Sequence, residues 1–510
     1  MKRKAFVFVI SLLLSGMAFA QDLHWGGFDY HQYEDFFTVN GKVFFDDELQ
    51  NRPNIEVAGF VDGELRGSFF LNEPYPNTSY AGYYVWSTYY FNTDNETFTF
   101  KAYDHDNEIE YDLCDVELIG QSKVTYGSVR EPILMHFTQS TGYTKTITGY
   151  GESTGGYVLI ASPIDGIAPA DVTCMVTEEA TEYDLYAFEQ NPTDGDEWRN
   201  FKKAGEFTTL ESGKGYLYAR KVTADLVFTG TPYEGDGVFG LDFVAGSDFE
   251  GMNLVGNPFT EDTYVGVPFY TLNAEGEFVT NAADAAIPAM EGVFVCATGT
   301  DQSVTFTTEA GKKASHLALD LVSGNKLVDR AIVNFDETHQ LPKFQLNANS
   351  PKLYFPMSDK DYAVVSSQDM GELPLNFKAE KNGHYTLAIN SEEVSFGYLH
   401  LIDNLTGTDI DLLANPSYSF DTRSTDYASR FKLVFATGST TGSEPFAFYS
   451  NGSFVINNEG NATLQVVDVT GRIISTETIN GCANVNAAPG AYMLRLINGD
   501  SERVQKVVVE

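Results

Sequence analysis

Alternation of apolar and polar residues with a period of two is the feature that most restricts the fold of this chain. It recurs in runs rich in Tyr, Phe, Val and Thr, which Gly, Asn and Asp separate; examples are ETFTFKAY (96–103), GYVLIAS (156–162) and ADLVFTGT (224–231). Side chains of a strand point alternately to opposite faces, so this period indicates half-buried strands, and wholly apolar runs indicate strands buried on both faces. The sequence predicts an all-β fold of tandem β-sandwiches, immunoglobulin-like or jelly-roll-like.

The length of the chain, 510 residues, exceeds what one hydrophobic core organises, so several domains are expected. Changes in motif and turn pattern suggest where they begin and end. The predicted organisation is a signal peptide at 1–20, an N-terminal β domain at 21–138, a β module with an internal duplication at 139–310, a β-sandwich at 311–436, a linker at 437–443 and a C-terminal domain at 444–510.

The internal duplication consists of three sequence blocks that recur in the same order. Each copy has an apolar strand ending in Ser-Pro or Asn-Pro, an aromatic strand, and a pair of strands closing on Phe-Thr. The matching blocks are 155–164 with 251–259, 183–188 with 267–272, and 210–231 with 287–308. A repeat of this length indicates a duplicated folding unit, whose shared residues more often hold the fold than bind a ligand.

The N-terminus has the three parts of a secretory signal peptide. Lys2, Arg3 and Lys4 precede an apolar stretch, and Ala18-Phe19-Ala20 fits the small-x-small cleavage site. No segment reaches the roughly 20 apolar residues that span a bilayer. No Cys follows the predicted cut, which disfavours a lipoprotein anchor. The sequence therefore predicts export.

Charge restricts the partners of this chain. It has 32 Lys+Arg against 71 Asp+Glu, a net charge of −39. A surface of that sign repels phosphate backbones and anionic lipid headgroups. We therefore expect no nucleic-acid partner.

The cysteines give no metal signature. Cys114, Cys174, Cys296 and Cys482 are far apart in the sequence and match no zinc spacing. Since they are spread over the predicted domains, we expect buried free thiols rather than a disulfide framework.

The end of the chain carries an ordered set of short motifs in FVINNEGNATLQVVDVTGRIIS (454–475) and APGAYMLRLINGDSERVQKVVVE (488–510). It resembles the C-terminal sorting domain of the type IX (Por) secretion system of Bacteroidetes, a small immunoglobulin-like sandwich. The residues that match its motifs are Asp468, Gly471 and Arg472 in the turn, Gly490 and Tyr492 in Gly-x-Tyr, and Lys506, Val507 and Val508 at the end.

This resemblance implies export in two steps. The signal peptide leads to the periplasm, and the type IX machinery of the outer membrane then reads the sorting domain. Proteins of this kind commonly lose the domain and gain a lipopolysaccharide anchor. The implied location is the external face of the outer membrane or the extracellular space, and the cut is expected in the Gly/Ser/Thr-rich linker at 437–443.

The middle of the chain also has a family resemblance. It is similar to β modules of secreted Bacteroidales proteins over about 155–435, which supports a surface module and implies no activity. Segment 60–67 (FVDGELRG) likewise resembles an N-terminal module of such proteins. The matching segments are 253–259, 287–295, 327–335, 341–347 and 426–435.

Short catalytic motifs are present but lie in the wrong context. GESTG (151–155) would make Ser153 a nucleophile, yet a strand follows it where a nucleophile elbow needs a helix. SGNK (323–326) lies between two apolar runs and predicts a hairpin turn. No H-E-x-x-H motif occurs. We predict no enzyme; the alternative of a β-sandwich hydrolase acting on glycans or peptides stays open, because paired carboxylates meet in space.

The acidic stretch DHDNEIEYD (104–112) is the best metal candidate. Asp104, Asp106 and Glu108 share one face of a strand or gather on a loop, where their oxygens suit calcium. DGDE (194–197) is a second acidic loop. We predict no cofactor, with calcium as the one candidate ion.

Aromatic residues are concentrated in SYAGYYVWSTYYF (79–91). Most are expected to fill cores, but exposed Tyr and Trp stack on sugar rings or contact proteins. The candidate ligand contacts are Arg66, Tyr83, Tyr84 and Trp86. The function that the sequence predicts is structural or adhesive work, with a glycan or a host or matrix protein as the ligand.

Overall fold

The structure is a computed structural model, and it describes residues 23–509 apart from short gaps. The gaps are 27–28, 46–47, 62, 93–94, 114–115, 117, 140–141, 152–154, 178–180, 191–194, 336–338, 348, 359 and 439–444. The predicted signal peptide, Cys114, Ser153 and most of the predicted linker thus lie outside the described residues. The chain divides into two compact units, one up to Thr141 and one from Gly142.

The first unit is one sheet, in the order β2-β1-β10-β7-β6-β3-β4, with β5 and β9 paired to β1 and β8 to β6. The burial of β6 alternates strictly along its length, as the period of two predicts. Its core is rich in aromatic side chains, among them Phe37, Tyr89 and Phe98. The strands are β1 (Asp35–Phe45), β2 (Glu48–Leu49), β3 (Ile55–Val61), β4 (Glu64–Phe70), β5 (Val85–Phe91), β6 (Thr97–Asp104), β7 (Ile109–Leu113), β8 (Leu118–Ile119), β9 (Thr125–Tyr126) and β10 (Ile133–Gln139).

The second unit begins with two sets of six strands. They are β11 (Tyr143–Ile147), β12 (Val158–Ala161), β13 (Tyr183–Phe188), β14 (Trp198–Asn200), β15 (Gly215–Arg220), β16 (Ala224–Phe228), β17 (Val238–Leu241), β18 (Met252–Gly256), β19 (Phe269–Leu272), β20 (Phe278–Asn281), β21 (Gly292–Cys296) and β22 (Gln302–Thr305). The sheet order is β12-β15-β13-β14 in the first set and β18-β21-β19-β20 in the second. In each set the first strand pairs with the last, as β11-β16 and β17-β22. The three repeated blocks therefore occupy equivalent strands.

The two sets meet through glycine. A Cβ at Gly256 would lie 2.5 Å from the Cβ of Ala161 and 2.5 Å from the carbonyl oxygen of Lys214. A bridge pairs Lys214 with Val255 across this contact. Because no side chain larger than hydrogen fits there, Gly256 is required by the close packing of the backbones.

A large sandwich follows, with a sheet order of β31-β30-β33-β28-β26-β27-β24-β23-β29-β32 and β25 paired to β27. Its β23–β24 turn contains Gly324 at φ 56° and Asn325 at φ 68°, which confirms the hairpin predicted for SGNK. The strands are β23 (His316–Ser323), β24 (Lys326–Asn334), β25 (Leu341–Pro342), β26 (Lys352–Pro356), β27 (Asp361–Ser366), β28 (Met370–Lys378), β29 (Gly383–Glu392), β30 (Tyr398–Asp403), β31 (Thr408–Asp411), β32 (Ser417–Thr422) and β33 (Phe431–Ala436).

The ion pair of Arg430 with Asp403 is buried in this sandwich, as is that of Lys343 with Asp329. The Arg430 side chain is 2% exposed and its Nη2 donates to Oδ2 of Asp403, which is 0% exposed, over 2.9 Å. The Arg430 guanidinium also lies 4.4 Å from the ring centroid of Phe420. Tyr418 donates its hydroxyl to the same carboxylate. The charge pair is therefore satisfied within the core.

The chain ends in a small two-sheet sandwich of order β34-β35-β38 and β37-β36-β39-β40. Phe454, Leu464 and Leu494 lie in its core. The strands are β34 (Ala447–Ser450), β35 (Ser453–Ile456), β36 (Asn461–Asp468), β37 (Ile473–Asn480), β38 (Ala483–Asn486), β39 (Gly490–Asn498) and β40 (Ser501–Val509).

The terminal sandwich packs against the large sandwich through a docking interface formed by Ile402, Val434 and Ala436 on one side and Val455 on the other, all buried. Cys482 packs at its edge. The backbone N–H of Gly438 donates to Oδ1 of Asn457 over 2.7 Å. The two sandwiches thus share an apolar contact as well as the chain between them.

The described chain confirms the all-β prediction. Its helical turns within the described ranges are the 3-10 turns Tyr30–Gln32 and Pro169–Asp171. None of the helices in the described part has the length and apolar character needed to cross a bilayer. The predicted domain boundaries at 138, 310, 436 and 443 stay predictions.

The expectation of free thiols needs one correction. Cys296 and Cys482 are free and half-buried, but Cys174 is disulfide-bonded. Spacing in the sequence misled here because the fold, not the separation along the chain, decides which sulfurs meet. A disulfide fits a protein that matures in an oxidising compartment.

Candidate functional sites

The Asp-x-x-Gly-Arg turn between β36 and β37 is organised by one carboxylate. Oδ1 of Asp468 accepts hydrogen bonds from the backbone N–H groups of Thr470 (2.9 Å) and Arg472 (3.1 Å), and Oδ2 accepts one from Nε of Arg472 (3.1 Å). Gly471 has φ 85°, a conformation that other residues rarely adopt. The side chain of Arg472 is 79% exposed. The motif residues thus build a rigid turn and leave a guanidinium in solvent.

The remaining motif residues meet this turn across the sheet. Tyr492 on β39 pairs with Asp468 on one side and with Val507 on the other. The Tyr492 hydroxyl donates to the carbonyl oxygen of Ala488 over 2.9 Å. Three motifs that are far apart in the sequence therefore form one cross-strand row.

The motif residues at the end of the chain lie on different faces of the sheet. Val507 is buried in the core, whereas Lys506 and Val508 are exposed. Gly490 lies opposite Val509 at the start of β39. Several apolar side chains of this sandwich are exposed to solvent: Val469, Ile473, Ile474, Met493, Val504 and Val508. Contiguous exposed apolar residues commonly mark protein contacts.

The turn carboxylate gives a pH-dependent prediction. Hydrogen bonds, first that of the Thr470 hydroxyl, lower the pKa of Asp468 from 3.8 to about 2. A lowered folded-state pKa means that its stabilisation is present above pH 3.8 and is lost as the pH falls toward about 2. Asp468→Asn is expected to weaken the hairpin at neutral pH and to flatten its response in that acid range. Hydrogen exchange of β36 and β37, compared with Asp500→Asn at each pH, measures this; equal profiles for the two variants would contradict it.

The comparisons with known proteins address this terminal sandwich. Residues 450–510 match the family described as "Secretion system C-terminal sorting domain". The chain therefore ends in a sorting domain of the type IX secretion system, and it is a secreted or cell-surface protein that interacts with that machinery.

The whole-chain comparisons carry no further assignment. No curated protein matches the chain. Among solved structures, "Biofilm associated protein - BSP domain" is 10% identical with a TM-score of 0.13, over 96% of this chain and 98% of that one. A trypsin-activated alpha-2-macroglobulin from Escherichia coli is 9% identical with a TM-score of 0.12, over 94% of this chain and 49% of that one. TM-scores this low carry no argument about fold or function.

The acidic loop proposed for calcium already holds a cation of the protein itself. Arg52 donates from Nη1 to Asp104 (2.9 Å) and to Asp106 (2.6 Å), and Asn54 donates to the other Asp106 oxygen (2.6 Å). Glu108 is exposed at φ 59° in the following turn. Among the described residues, no group of three or more His, Cys, Asp or Glu is arranged to hold a metal ion.

Calcium at Asp104, Asp106 and Glu108 stays a prediction, and the contacts sharpen its test. A calcium ion has to displace the Arg52 guanidinium, so Arg52→Ala is expected to bind calcium more tightly than the wild type. Calorimetric titration with calcium chloride measures the affinity, and Lys203→Ala beside Asp196 of the second acidic loop is the control. No heat from either the wild type or Arg52→Ala would remove the site.

The candidate ligand contacts divide by exposure. The Arg66 side chain is 9% exposed and donates to Glu96 over 3.0 Å and to Glu64 over 3.2 Å. Tyr84 is buried, with Lys42 Nζ 3.6 Å from its ring centroid. Arg66 and Tyr84 are therefore engaged inside the fold. Tyr83 is half-buried and Trp86 is exposed, so these two reach the surface.

A buried carboxylate in the first unit was not anticipated from the sequence. Glu56 is 0% exposed, and Ser68, His105 and the backbone N–H of His24 all hydrogen-bond to it. In a serine triad the histidine lies between the serine and the acid. Here the acid lies between the serine and the histidine, so the cluster orders the fold around Glu56 rather than activating Ser68.

An open groove of about 600 Å³ lies on the large sandwich. Its acids are already engaged: Asp421 pairs with His384 over 2.9 Å, and Asp426 accepts from the backbone N–H of Arg423 over 2.8 Å. The groove is lined by Asn382, Gly383, Leu405, Asp421, Thr422, Arg423 and Asp426.

Proposed function

We propose that this chain is a structural or adhesive protein of the bacterial exterior that acts by binding and not by catalysis. The single observation that carries the proposal is the sorting domain at 450–510, because a protein with this tail works outside the cell. The β units before the tail are its cargo. Bacteroidetes as the source, a signal peptide at 1–20 and anchoring to lipopolysaccharide belong to the same proposal.

The described geometry supports a binding role. Two buried acids are satisfied within the fold: Glu56 in the first unit and Asp403 in the large sandwich each accept several hydrogen bonds. Exposed aromatic side chains, in contrast, gather on the first unit. A protein that presents rings to solvent and engages its acids internally is arranged for contact with a ligand surface.

Removal of the sorting domain is the test of export. A chain that ends at Gly438 is expected to stay in the periplasm, whereas the full chain reaches the exterior. Protease accessibility on intact cells, with immunoblotting of periplasmic and surface fractions, measures the difference. A full-length Asp500→Asn variant controls for a change in the tail that spares its motifs. Surface display of the shortened chain would sink the proposal.

The groove on the large sandwich supports one competing proposal, that the protein is a hydrolase acting on glycans or peptides. Asp421 and Asp426 are its two carboxylates. A screen of the full chain against glycan and peptide substrates, with Asp421→Asn and Asp426→Asn variants, decides between the proposals. Hydrolysis that both variants abolish would replace the adhesive function with the enzymatic one.

A further inference from the structure

The outer surface of β5 and β1 carries a regular arrangement of side chains. Strand alternation places one set of residues on this face, and their neighbours Val85, Ser87 and Tyr89 face the core. We call the set the outer aromatic face; its members are Trp86, Thr88 and Tyr90 of β5 and Phe36, Thr38 and Asn40 of β1.

Register turns these six residues into three cross-strand rows. Trp86 pairs with Asn40, and Tyr90 pairs with Phe36. Between them Thr88 pairs with Thr38, whose hydroxyl lies 2.7 Å from that of Thr125 on β9. Trp86 and Tyr90 are four residues apart, about 13 Å at roughly 3.3 Å per residue. The face therefore reads aromatic, hydroxyl, aromatic along the strand.

Further rings extend both aromatic rows. Tyr75 packs on Trp86 with ring centroids 5.5 Å apart, and Tyr30 packs on Tyr90 at 5.6 Å. Trp86 is 41% exposed, Tyr30 is 49% exposed and Phe36 is 37% exposed. The aromatic rings in the core of this unit are almost fully buried. The exposed rings of Trp86, Tyr30 and Phe36 therefore distinguish the outer aromatic face from the core.

One polar atom on this face lacks a hydrogen bond. Asn40 is 8% exposed, and its Oδ1 has no hydrogen-bond partner among the described residues. Buried acceptors are nearly always satisfied. Asn40 lies opposite Trp86, so this amide is at the end of the face where a ligand ring would stack.

We propose that the outer aromatic face binds a neutral, extended polysaccharide that lies along β5. A sugar ring has an apolar C–H face, which stacks on Trp86 and Tyr90, and edge hydroxyls, which reach the threonine row and the amide of Asn40. A lipid tail or an apolar helix would cover the hydroxyl row without satisfying it. The six side chains carry no charge, and the chain's net charge of −39 repels polyanionic glycans.

This inference rests on the proposed function, because it names the ligand class of the adhesive protein. Affinity electrophoresis of the full-length protein in native gels tests it, with hydroxyethylcellulose as the neutral extended polymer and alginate as the polyanion. Hydroxyethylcellulose is expected to retard the wild type and alginate is not. Trp86→Ala and Tyr90→Ala are each expected to weaken retardation about five- to tenfold, the loss of one stacked ring.

Tyr427→Ala is the matched control, since Tyr427 is 49% exposed but lies in the second unit; circular dichroism checks that each variant folds. Equal loss in Tyr427→Ala, no retardation by hydroxyethylcellulose, or Trp86-dependent retardation by alginate would each overturn the inference. So would Trp86-dependent capture on immobilised collagen without any effect of the polysaccharide. Surface display of the Trp86 variant is measured in parallel, so that a failure of binding and a failure of export are read separately.

Discussion

Arg430→Ala is expected to destabilise the large sandwich by about 3–5 kcal/mol, the usual cost of leaving a buried charge without its counter-ion. Asp403 is 0% exposed. Burial is the largest single influence and raises its pKa, but the hydrogen bonds and charge of Arg430, together with hydrogen bonds from the Leu405 N–H and the Tyr418 hydroxyl, hold the pKa below its ordinary value. Without the guanidinium, Asp403 keeps only weaker donors such as the Tyr418 hydroxyl. Urea unfolding of the full chain, with hydrogen exchange of β30 and β33 to identify the transition, measures the loss.

A matched control lies two residues further along the chain, in β33. Lys432 pairs with Glu372 over 3.1 Å, but their side chains are 28% and 32% exposed. Lys432→Ala is therefore expected to cost about 0–1 kcal/mol. Replacing both buried charges, with Arg430→Met and Asp403→Leu, is expected to recover much of the loss, since no unpaired ion remains. Equal effects of Arg430→Ala and Lys432→Ala would show that the buried pair is not a special contributor.

The second large effect concerns the docking interface. When a protease recognition sequence is inserted at 439–443 and cut, the sorting domain is expected to stay bound to the rest of the chain. The apolar contact of Val455 with Ile402 and Val434 does not depend on that segment. Size-exclusion chromatography of the cut protein measures the association. If the sorting domain and the rest of the chain elute separately after cutting, the docking interface is not stable.

Substitution on either side of the interface should release the cut domain. Val455→Asp and Ile402→Asp each place a charge in an apolar contact, which costs several kcal/mol. Val455 lies in the interface while its neighbours Phe454 and Ile456 face the core of the terminal sandwich, so that core is kept. Val469→Asp is the control, because Val469 is 78% exposed. Retention of the cut domain by both interface variants would refute the role of these residues.

Local sequence patterns predicted the strands, the buried face of each strand and the hairpin turns. The period of two determines which residues of β6 are buried, and Gly324-Asn325 determines a hairpin because both residues adopt positive φ. The pairing of β1 with β10 is parallel and joins residues more than ninety positions apart. No local pattern specifies such a contact, so the sheet order required the structure.

In the candidate sites, too, local features were predictable from the sequence and contacts between distant segments were not. The turn at Asp468 could be predicted from the sequence because the N–H groups that donate to its carboxylate lie within four residues of it. The sequence predicts only part of the outer aromatic face. Trp86 is identified by the aromatic segment that contains it, but Phe36 and Asn40 lie beside it only because of the strand register. The ion pairs of Arg66 with Glu96 and of Arg52 with Asp104 and Asp106 could not be predicted from the sequence. Whether a charge faces solvent or an acid inside the fold depends on cross-strand neighbours, which spacing along the chain does not reveal.

The pairing of the first strand with the last in each six-strand set has a consequence for how such a chain changes length. Tyr143 lies opposite Phe228, and Val238 lies opposite Thr305, so the chain leaves each set beside the point where it entered. Excising or inserting a whole set would bring together ends that are already neighbours in space. A lineage can therefore gain or lose one six-strand set while the outer aromatic face near the N-terminus and the sorting domain at the C-terminus remain intact.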